Sequence, residues 1–81
     1  MQLFPNPANQ EIRVLIQSEV DQEADVEVFS LLGKSIFKAH YAVKGTQEFM
    51  INSGNWPTGI YVFHLRTRTH QIARQIEIIH N

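Results

Sequence analysis

The side chains of this sequence best suited to bind a metal ion are its four histidines, His40, His64, His70 and His80. Imidazole is a common zinc ligand, but zinc sites hold their ligands at short sequence spacings that no pair of these histidines shows. The chain also contains no cysteine, which removes thiolate ligands, thiolate nucleophiles and disulfides. We therefore expect four histidines that face solvent or lie on strand edges, with no metal and no other cofactor.

Alternating carboxylates suggest calcium as a second candidate metal ion. The segment reads Asp21-Gln22-Glu23-Ala24-Asp25, and calcium takes oxygen ligands from acidic segments of this kind. It lacks the glycine and the distal glutamate of a known calcium loop. We expect a solvated acidic turn here, with calcium binding as the alternative.

Residues suited to catalysis are present but are not arranged for it. No serine lies in the strand–Gly-x-Ser-x-Gly–helix pattern of a hydrolase nucleophile, and the dispersed glycines form no phosphate-binding loop. Arg66, Arg68 and Arg74 form at most a small basic strip, for which a solvated strand edge is the simpler explanation. The sequence therefore predicts a protein that is not an enzyme.

Length and charge limit the remaining classes of protein. The chain has 81 residues, and seven Lys plus Arg against eight Asp plus Glu give a net charge of −1. A chain of this size holds one hydrophobic core, and its near-neutral balance argues against nucleic-acid binding, which needs a basic patch. No apolar run reaches the roughly 20 residues that span a bilayer, and no signal peptide is visible. We expect either a cytoplasmic protein or a fragment of a longer exported one.

Apolar residues alternate with polar ones through most of the sequence, which is the pattern of β-strands. A polar loop is expected at 18–23, and a glycine-centred turn at 43–46. Both faces of 60–66 are largely apolar, so this strand should be central. The predicted strands are 11–17, 24–30, 35–42, 47–52, 60–66 and 71–79, with one more at 2–4 if that segment pairs at an edge.

Short strands separated by frequent turns predict an all-β fold, an immunoglobulin-like antiparallel β-sandwich with Greek-key topology. A small open barrel is the structural alternative. Tyr61 follows a Pro57–Gly59 corner, which predicts a tyrosine corner whose phenol bonds to upstream backbone; a plain core aromatic is the alternative. The predicted core consists of Ile12, Val14, Ile16, Val26, Val28, Phe49, Ile51, Tyr61, Phe63 and Leu65.

Three segments also resemble a known family. Residues 3–9, Leu-Phe-Pro-Asn-Pro-Ala-Asn, look like the L-Y-P-N-P-A opening of the type A C-terminal sorting domains of the type IX (Por) secretion system of Bacteroidetes. Residues 26–34, Val-Glu-Val-Phe-Ser-Leu-Leu-Gly-Lys, and residues 56–62, Trp-Pro-Thr-Gly-Ile-Tyr-Val, resemble the family's later segments. Because the matches keep the family's order and spacing, residues 1–81 are identified as a single sorting domain.

The resemblance implies a non-enzymatic sandwich of about seven strands at the C-terminus of a larger exported protein. Such a domain directs its cargo, the N-terminal domains of the same polypeptide, across the outer membrane. Its expected partners are the type IX translocon, an outer-membrane shuttle protein and a cell-surface sortase that usually removes the domain. The expected location is the periplasm in transit, then the cell surface or the extracellular space, with no membrane span and no nucleic acid.

The family motifs assign the sorting signal residue by residue. By resemblance, Pro5, Asn6 and Pro7 mark the start of the domain, near the sortase junction. Leu32 and Gly33 form a hairpin turn. The corner before the central strand is formed by Pro57, Gly59 and Tyr61. The terminal strand, which the family needs for export, runs from Ile76 to the C-terminus and includes Ile78, Ile79, His80 and Asn81.

Some of these positions have a second explanation or depart from the family. Gly33 and Gly59 also have a purely conformational explanation, because glycine accepts backbone angles closed to other residues. Trp56 stands where the family usually has Leu, so a larger plug at the end of the sandwich is expected. The tail is less Lys-rich than is common in the family.

An accessory β-sandwich that binds carbohydrate or protein, appended to an exported enzyme, is the alternative function. It is suggested by Trp56 and Tyr41, whose rings could stack on a sugar. A buried Trp56 would weaken this alternative.

Overall fold

The computed structural model describes residues 1–4 and 10–80, in which strands are joined by turns and loops without a helix. The predicted all-β fold is confirmed, and no helix of the described part is long and apolar enough to cross a membrane. The strands are β1 (Gln2–Phe4), β2 (Glu11–Ser30), β3 (Ser35–Asn52), β4 (Gly59–Thr67) and β5 (Gln71–Ile78). The predicted signal residues outside the described ranges are Pro5, Asn6, Pro7 and Asn81.

Hydrogen bonding joins these strands into one antiparallel sheet centred on β2. β3 pairs with one edge of β2 along most of its length. The other edge of β2 is shared, because β1 pairs with residues 13–15 and β4 pairs with residues 24–30. β5 pairs with the free edge of β4, so β4 is the central strand that its apolar faces predicted.

β2 and β3 are too long to run straight through a domain of this size. At about 3.3 Å per residue, a straight strand with the 20 residues of β2 would extend about 66 Å. The molecule measures only 39 × 22 × 16 Å. β2 therefore folds back at a bulge, where its register against β3 shifts between Ser18 and Gln22. β3 bends beside it at Gly45, whose φ of 66° lies in the left-handed region.

The sequence predicted that strands end at a loop over residues 18–23 and at a turn over residues 43–46. Both predictions are wrong, because β2 and β3 continue through these segments. A bulge adds residues to one strand and bends it without ending the pairing. The polar residues and the glycine mark a bend, and each long strand combines two strands that the sequence predicted separately. The count of about seven strands is not confirmed, since the described part has five, although the halves of β2 and β3 together with β1, β4 and β5 supply seven sheet segments.

The bends turn the sheet into two facing layers. One layer contains β1, the first half of β2 and the second half of β3, and the other contains the remaining halves with β4 and β5. All of the predicted core residues are buried except Phe49, which is partly exposed and packs against the core. The core between the layers consists of Ile12, Val14, Ile16, Ala24, Val26, Val28, Val43, Ile51, Tyr61, Phe63, Leu65, Ile76 and Ile78.

The two ends of this sandwich differ in composition. We call one the corner end: it contains the β2–β3 turn at 31–34, the loop at 53–58 and residues 79–80 after β5. We call the other the far end: it contains the bends of β2 and β3, the β4–β5 turn at 68–70, and Met1.

Candidate functional site

Strand pairing gathers the predicted sorting motifs at the corner end. Ser30, the last residue before the β2–β3 turn, pairs with Tyr61, which also pairs with Ile76 on β5. Gly59 pairs with Ile78, the last residue of β5. Segments that are distant in sequence therefore lie side by side. The signal residues found on these neighbouring segments are Leu32, Gly33, Pro57, Gly59, Tyr61, Ile76, Ile78, Ile79 and His80.

The β2–β3 turn is closed by hydrogen bonds between backbone groups. The amide of Gly33 donates to the carbonyl oxygen of Ser30 at 2.9 Å, and the amide of Ser30 donates to that of Lys34 at 2.8 Å. Gly33 has a φ of 86°, a conformation that other residues adopt only with strain. Leu31 and Leu32 are consequently held at the tip, with 67% and 98% of their surface exposed.

The loop at 53–58 contains the predicted tyrosine corner. The Tyr61 hydroxyl donates to the carbonyl oxygen of Pro57 at 2.5 Å, which confirms the bond back to upstream backbone. The amide of Trp56 donates to the carbonyl oxygen of Ser53 at 3.0 Å, which closes the loop on itself. Because Tyr61 is also buried, its hydrogen bond holds the loop against the core.

Trp56 plugs this end of the sandwich, as its size predicted. Its ring is half-buried, with its centroid 5.5 Å from that of Tyr61 and 6.3 Å from that of Phe37. Tilted ring pairs at these distances stabilise a cluster beyond simple burial. Phe37 lies on β3, far from Trp56 in sequence, so no local motif predicted this contact.

The chain after β5 is tied to the same loop. The amide of His80 donates to the Thr58 hydroxyl at 3.1 Å, and its Nε2–H donates to the carbonyl oxygen of Trp56 at 2.5 Å. Ile78 is buried, whereas Ile79 is partly exposed. The predicted strand therefore ends at Ile78 rather than beyond it.

The purely conformational explanation of Gly59 is wrong. Gly59 does not need glycine for its backbone angles, because Gly33 and Gly45 are the described residues with a positive φ, and a Cβ at Gly59 would meet no atom within 4 Å. His80 is half-buried and follows the edge strand β5, so the expectation of a histidine that faces solvent or lies on a strand edge is not contradicted. Thr58, its partner, was missed because a lone threonine in a loop carries no pattern.

The rings that suggested sugar binding both contact other rings of the chain. The Tyr41 ring is half-buried and stacks on Phe49 at a centroid distance of 4.0 Å. Trp56 packs between Phe37 and Tyr61. Because each ring already has an internal partner, the observation that motivated the binding-module alternative is weakened.

The acidic segment lies on β2 rather than in a turn, because β2 continues through it. On the outer face of the sheet, His40 Nδ1 lies 2.6 Å from an Asp25 carboxylate oxygen, and Nε2 lies 3.1 Å from one of Glu23. An imidazole with a carboxylate at each nitrogen donates to both only when it is protonated. Asp25, followed by Glu23, accordingly raises the pKa of His40, and the hydrogen bond from His40 lowers that of Asp25.

These contacts involve two of the three carboxylates of the acidic segment, those of Glu23 and Asp25. Arg66 Nη2 lies 4.0 Å from the second Asp25 oxygen. Within residues 1–4 and 10–80, no group of three or more His, Asp or Glu side chains is placed to hold a metal ion. The geometry at Asp25 is that of a cross-strand ion pair on an exposed sheet face.

Comparisons with known proteins agree with this architecture. The crystal structure of dimeric latent PorU from Porphyromonas gingivalis superposes with a TM-score of 0.82 at 16% identity, covering 99% of this chain and 9% of that chain. At this identity the likeness concerns the fold, and the chain spans a small part of PorU. No curated protein matches in sequence. A family model described as "Secretion system C-terminal sorting domain" matches residues 2–79. The chain therefore belongs to the family of type IX secretion system C-terminal sorting domains, as its motifs predicted.

Proposed function

We propose that residues 1–81 form a single, non-catalytic sorting signal that directs a larger protein across the outer membrane through the type IX secretion system. The observation that carries this proposal is the family match over residues 2–79. It is supported by the corner end, where the family's turn, corner and terminal-strand motifs lie on neighbouring strands.

The cargo precedes the domain in the same polypeptide. Met1 packs against the core at the far end, beside Ile16 and the β4–β5 turn. A chain that continues before Met1 would therefore leave the domain at the far end, opposite the β2–β3 turn, the tyrosine corner and the end of β5. This position supports a corner end that stays accessible while the cargo is attached.

The expected sequence of events follows from family membership. The domain folds in the periplasm, is recognised by the translocon and its outer-membrane shuttle protein, and is then removed by a cell-surface sortase. The cargo ends on the cell surface or in the medium. The junction lies near Pro5, Asn6 and Pro7, the residues that mark the start of the domain by resemblance.

A fusion protein tests the proposal. A reporter enzyme with an inner-membrane signal peptide is followed by residues 1–81 and expressed in a host with a type IX system and in a translocon-deficient strain. We expect the reporter outside the outer membrane in the first strain and in the periplasm in the second. A folded fusion that stays in the periplasm of both strains would contradict the proposal.

A folding control makes the result interpretable. Phe63 is fully buried in the core, so a Phe63→Ala fusion should lose the folded surface and remain in the periplasm. If this fusion were exported as well as the wild type, the signal would be a linear motif and not the folded domain.

A further inference from the structure

We propose that the tip of the β2–β3 turn, Leu31 and Leu32, is an anchor that inserts into an apolar pocket of a folded protein of the secretion machinery. This inference deepens the proposed function and rests on it. It assigns these leucines a binding role that the strand pairing and the core do not require.

Their exposure is the first observation. Leu32 is 98% exposed and Leu31 is 67% exposed, more than any other large apolar side chain of the described residues. Turns between antiparallel strands usually carry Gly, Asn, Asp or Ser, which suit both the backbone and water. Leu32 buries almost nothing in the domain itself and Leu31 buries only a minor part of its surface, so the pair contributes little to folding.

The rigidity of the turn is the second observation. Besides the backbone bonds that close it, the amide of Lys34 donates to the Ser30 hydroxyl at 3.2 Å. Gly33 supplies the left-handed conformation that the tip requires. Leucines presented on a fixed turn lose little conformational freedom when they bind, which favours an anchor over a loop that must first become ordered.

The chemistry of the tip favours a protein pocket over a lipid surface. The turn contains one cation, Lys34, and the whole chain has a net charge of −1. Stable binding to an anionic membrane by a small apolar element needs an accompanying cluster of basic residues. Two protruding side chains without such a cluster instead suit a concave apolar pocket, the usual setting of an interface anchor.

Position supports the same partner. The tip belongs to the corner end, beside Tyr61 on the neighbouring strand, and Met1 lies at the far end. A chain that precedes Met1 would leave the domain at the end opposite these leucines.

The test uses the reporter fusion with paired substitutions at the two ends. Leu31→Ser with Leu32→Ser removes the anchor, and Val20→Ser, at a residue that is 62% exposed in the far-end bend, is the matched control. We expect the double variant to lower the exported fraction about tenfold, the loss that truncation of one interface anchor brings. Val20→Ser should leave export unchanged. Both purified domains should melt within a few degrees of the wild type.

The outcomes separate this inference from the proposed function. If the wild-type fusion is not exported, the proposed function fails and the anchor with it. If the wild type and the double variant are exported equally, the anchor is overturned and the proposed function stands. A second arm mixes the purified domain with phosphatidylethanolamine–phosphatidylglycerol vesicles. We expect no co-sedimentation; vesicle binding that the double variant abolishes would overturn the protein pocket in favour of a lipid surface.

Discussion

The corner end and the far end are made by the same strands but are held together differently. At the corner end, separate segments are fixed to one another through Tyr61 and Pro57, through His80 and Trp56, and through a cluster of rings. At the far end, β2 and β3 bend without ending, and an open concavity of about 410 Å³ lies between the layers, lined in part by Met1 and His70.

This difference suggests separate roles: the far end forms the sandwich, and the corner end offers a surface that a partner can recognise. The far end brings the layers together with a bulge and one left-handed glycine, and its hydrogen bonds outside the strand pairing are local, such as those between Ser18 and Val20 and between Thr67 and His70. At the corner end, hydrogen bonds also join segments that are distant in sequence, as between His80 and Trp56. A partner protein can recognise a fixed surface of this kind by its shape. Substitutions at the two ends should therefore have different effects.

Truncation of a core side chain should destabilise the corner end and the far end together, because both are built on the same core. Phe63 is fully buried in the middle of β4, so Phe63→Ala should cost about 3–5 kcal/mol through lost burial and the cavity left behind. Because small domains have a net stability of roughly 5 kcal/mol, most of the free energy of unfolding would be lost. The half-exposed Phe29 on the outer face is the control, and denaturant unfolding should show a much smaller loss for Phe29→Ala. Equal losses would mean that the faces of the sheet are assigned wrongly.

Glycine substitutions compare the backbone requirements of the two ends. Gly33 at the corner end and Gly45 at the far end both have a positive φ, so alanine at either should cost about 1–2 kcal/mol. Gly59→Ala is the control, because its φ is not positive and the added Cβ meets open space. Thermal or urea unfolding measures all three. A loss at Gly59 as large as at Gly33 would contradict this backbone assignment.

Tyrosine substitutions isolate the hydrogen bond of the corner. Tyr61→Phe removes the donor to the Pro57 carbonyl and should cost about 1 kcal/mol. Tyr41→Phe should change the free energy of unfolding little, because the Tyr41 ring stacks on Phe49 and its hydroxyl makes no hydrogen bond within the described residues. If the two variants were equally stable, the corner bond would contribute nothing to the fold.

The smallest effect is a dependence on pH at the exposed ion pair. The pKa of His40 is raised above 6.5, so its stabilising contribution is full below that pH and is lost as pH rises through the raised value. The pKa of Asp25 is lowered from 3.8, so its contribution is present above that pH and is lost as pH falls through the lowered value. The melting temperature of His40→Asn should therefore vary less between pH 6 and 8 than that of the wild type. An unchanged pH profile would show that the pair is not formed in solution.

The predictability of the two ends from sequence also differs. The tyrosine corner and the core could be predicted from the sequence. Pro57, Gly59 and Tyr61 are close together in the chain, and the alternation of apolar residues marks the buried faces of the strands. The bends of β2 and β3 were predicted as a loop and a turn, because a bulge within a strand and a turn between strands use the same polar residues and glycine. Only the partner strand decides whether pairing continues.

Contacts between strands were beyond sequence reasoning for the same reason. The proximity of His40 to Asp25 depends on the register of β2 against β3. That of His80 to Trp56 depends on where β5 ends. Neither register nor strand end is fixed by nearby residues alone, which is why the contact of His80 with Trp56 was not predicted.

The central claim is that the folded corner end carries the sorting signal, and removal of the tail tests it most directly. Deleting residues 79–81 leaves β5 intact through Ile78 but removes the contacts of His80 with Thr58 and Trp56. The matched far-end variant, with alanine at both Thr69 and His70, loses the contact between those side chains in the β4–β5 turn. With both fusions folded, we expect the tail deletion to be retained in the periplasm and the far-end variant to be exported. Equal export of the two would contradict the claim.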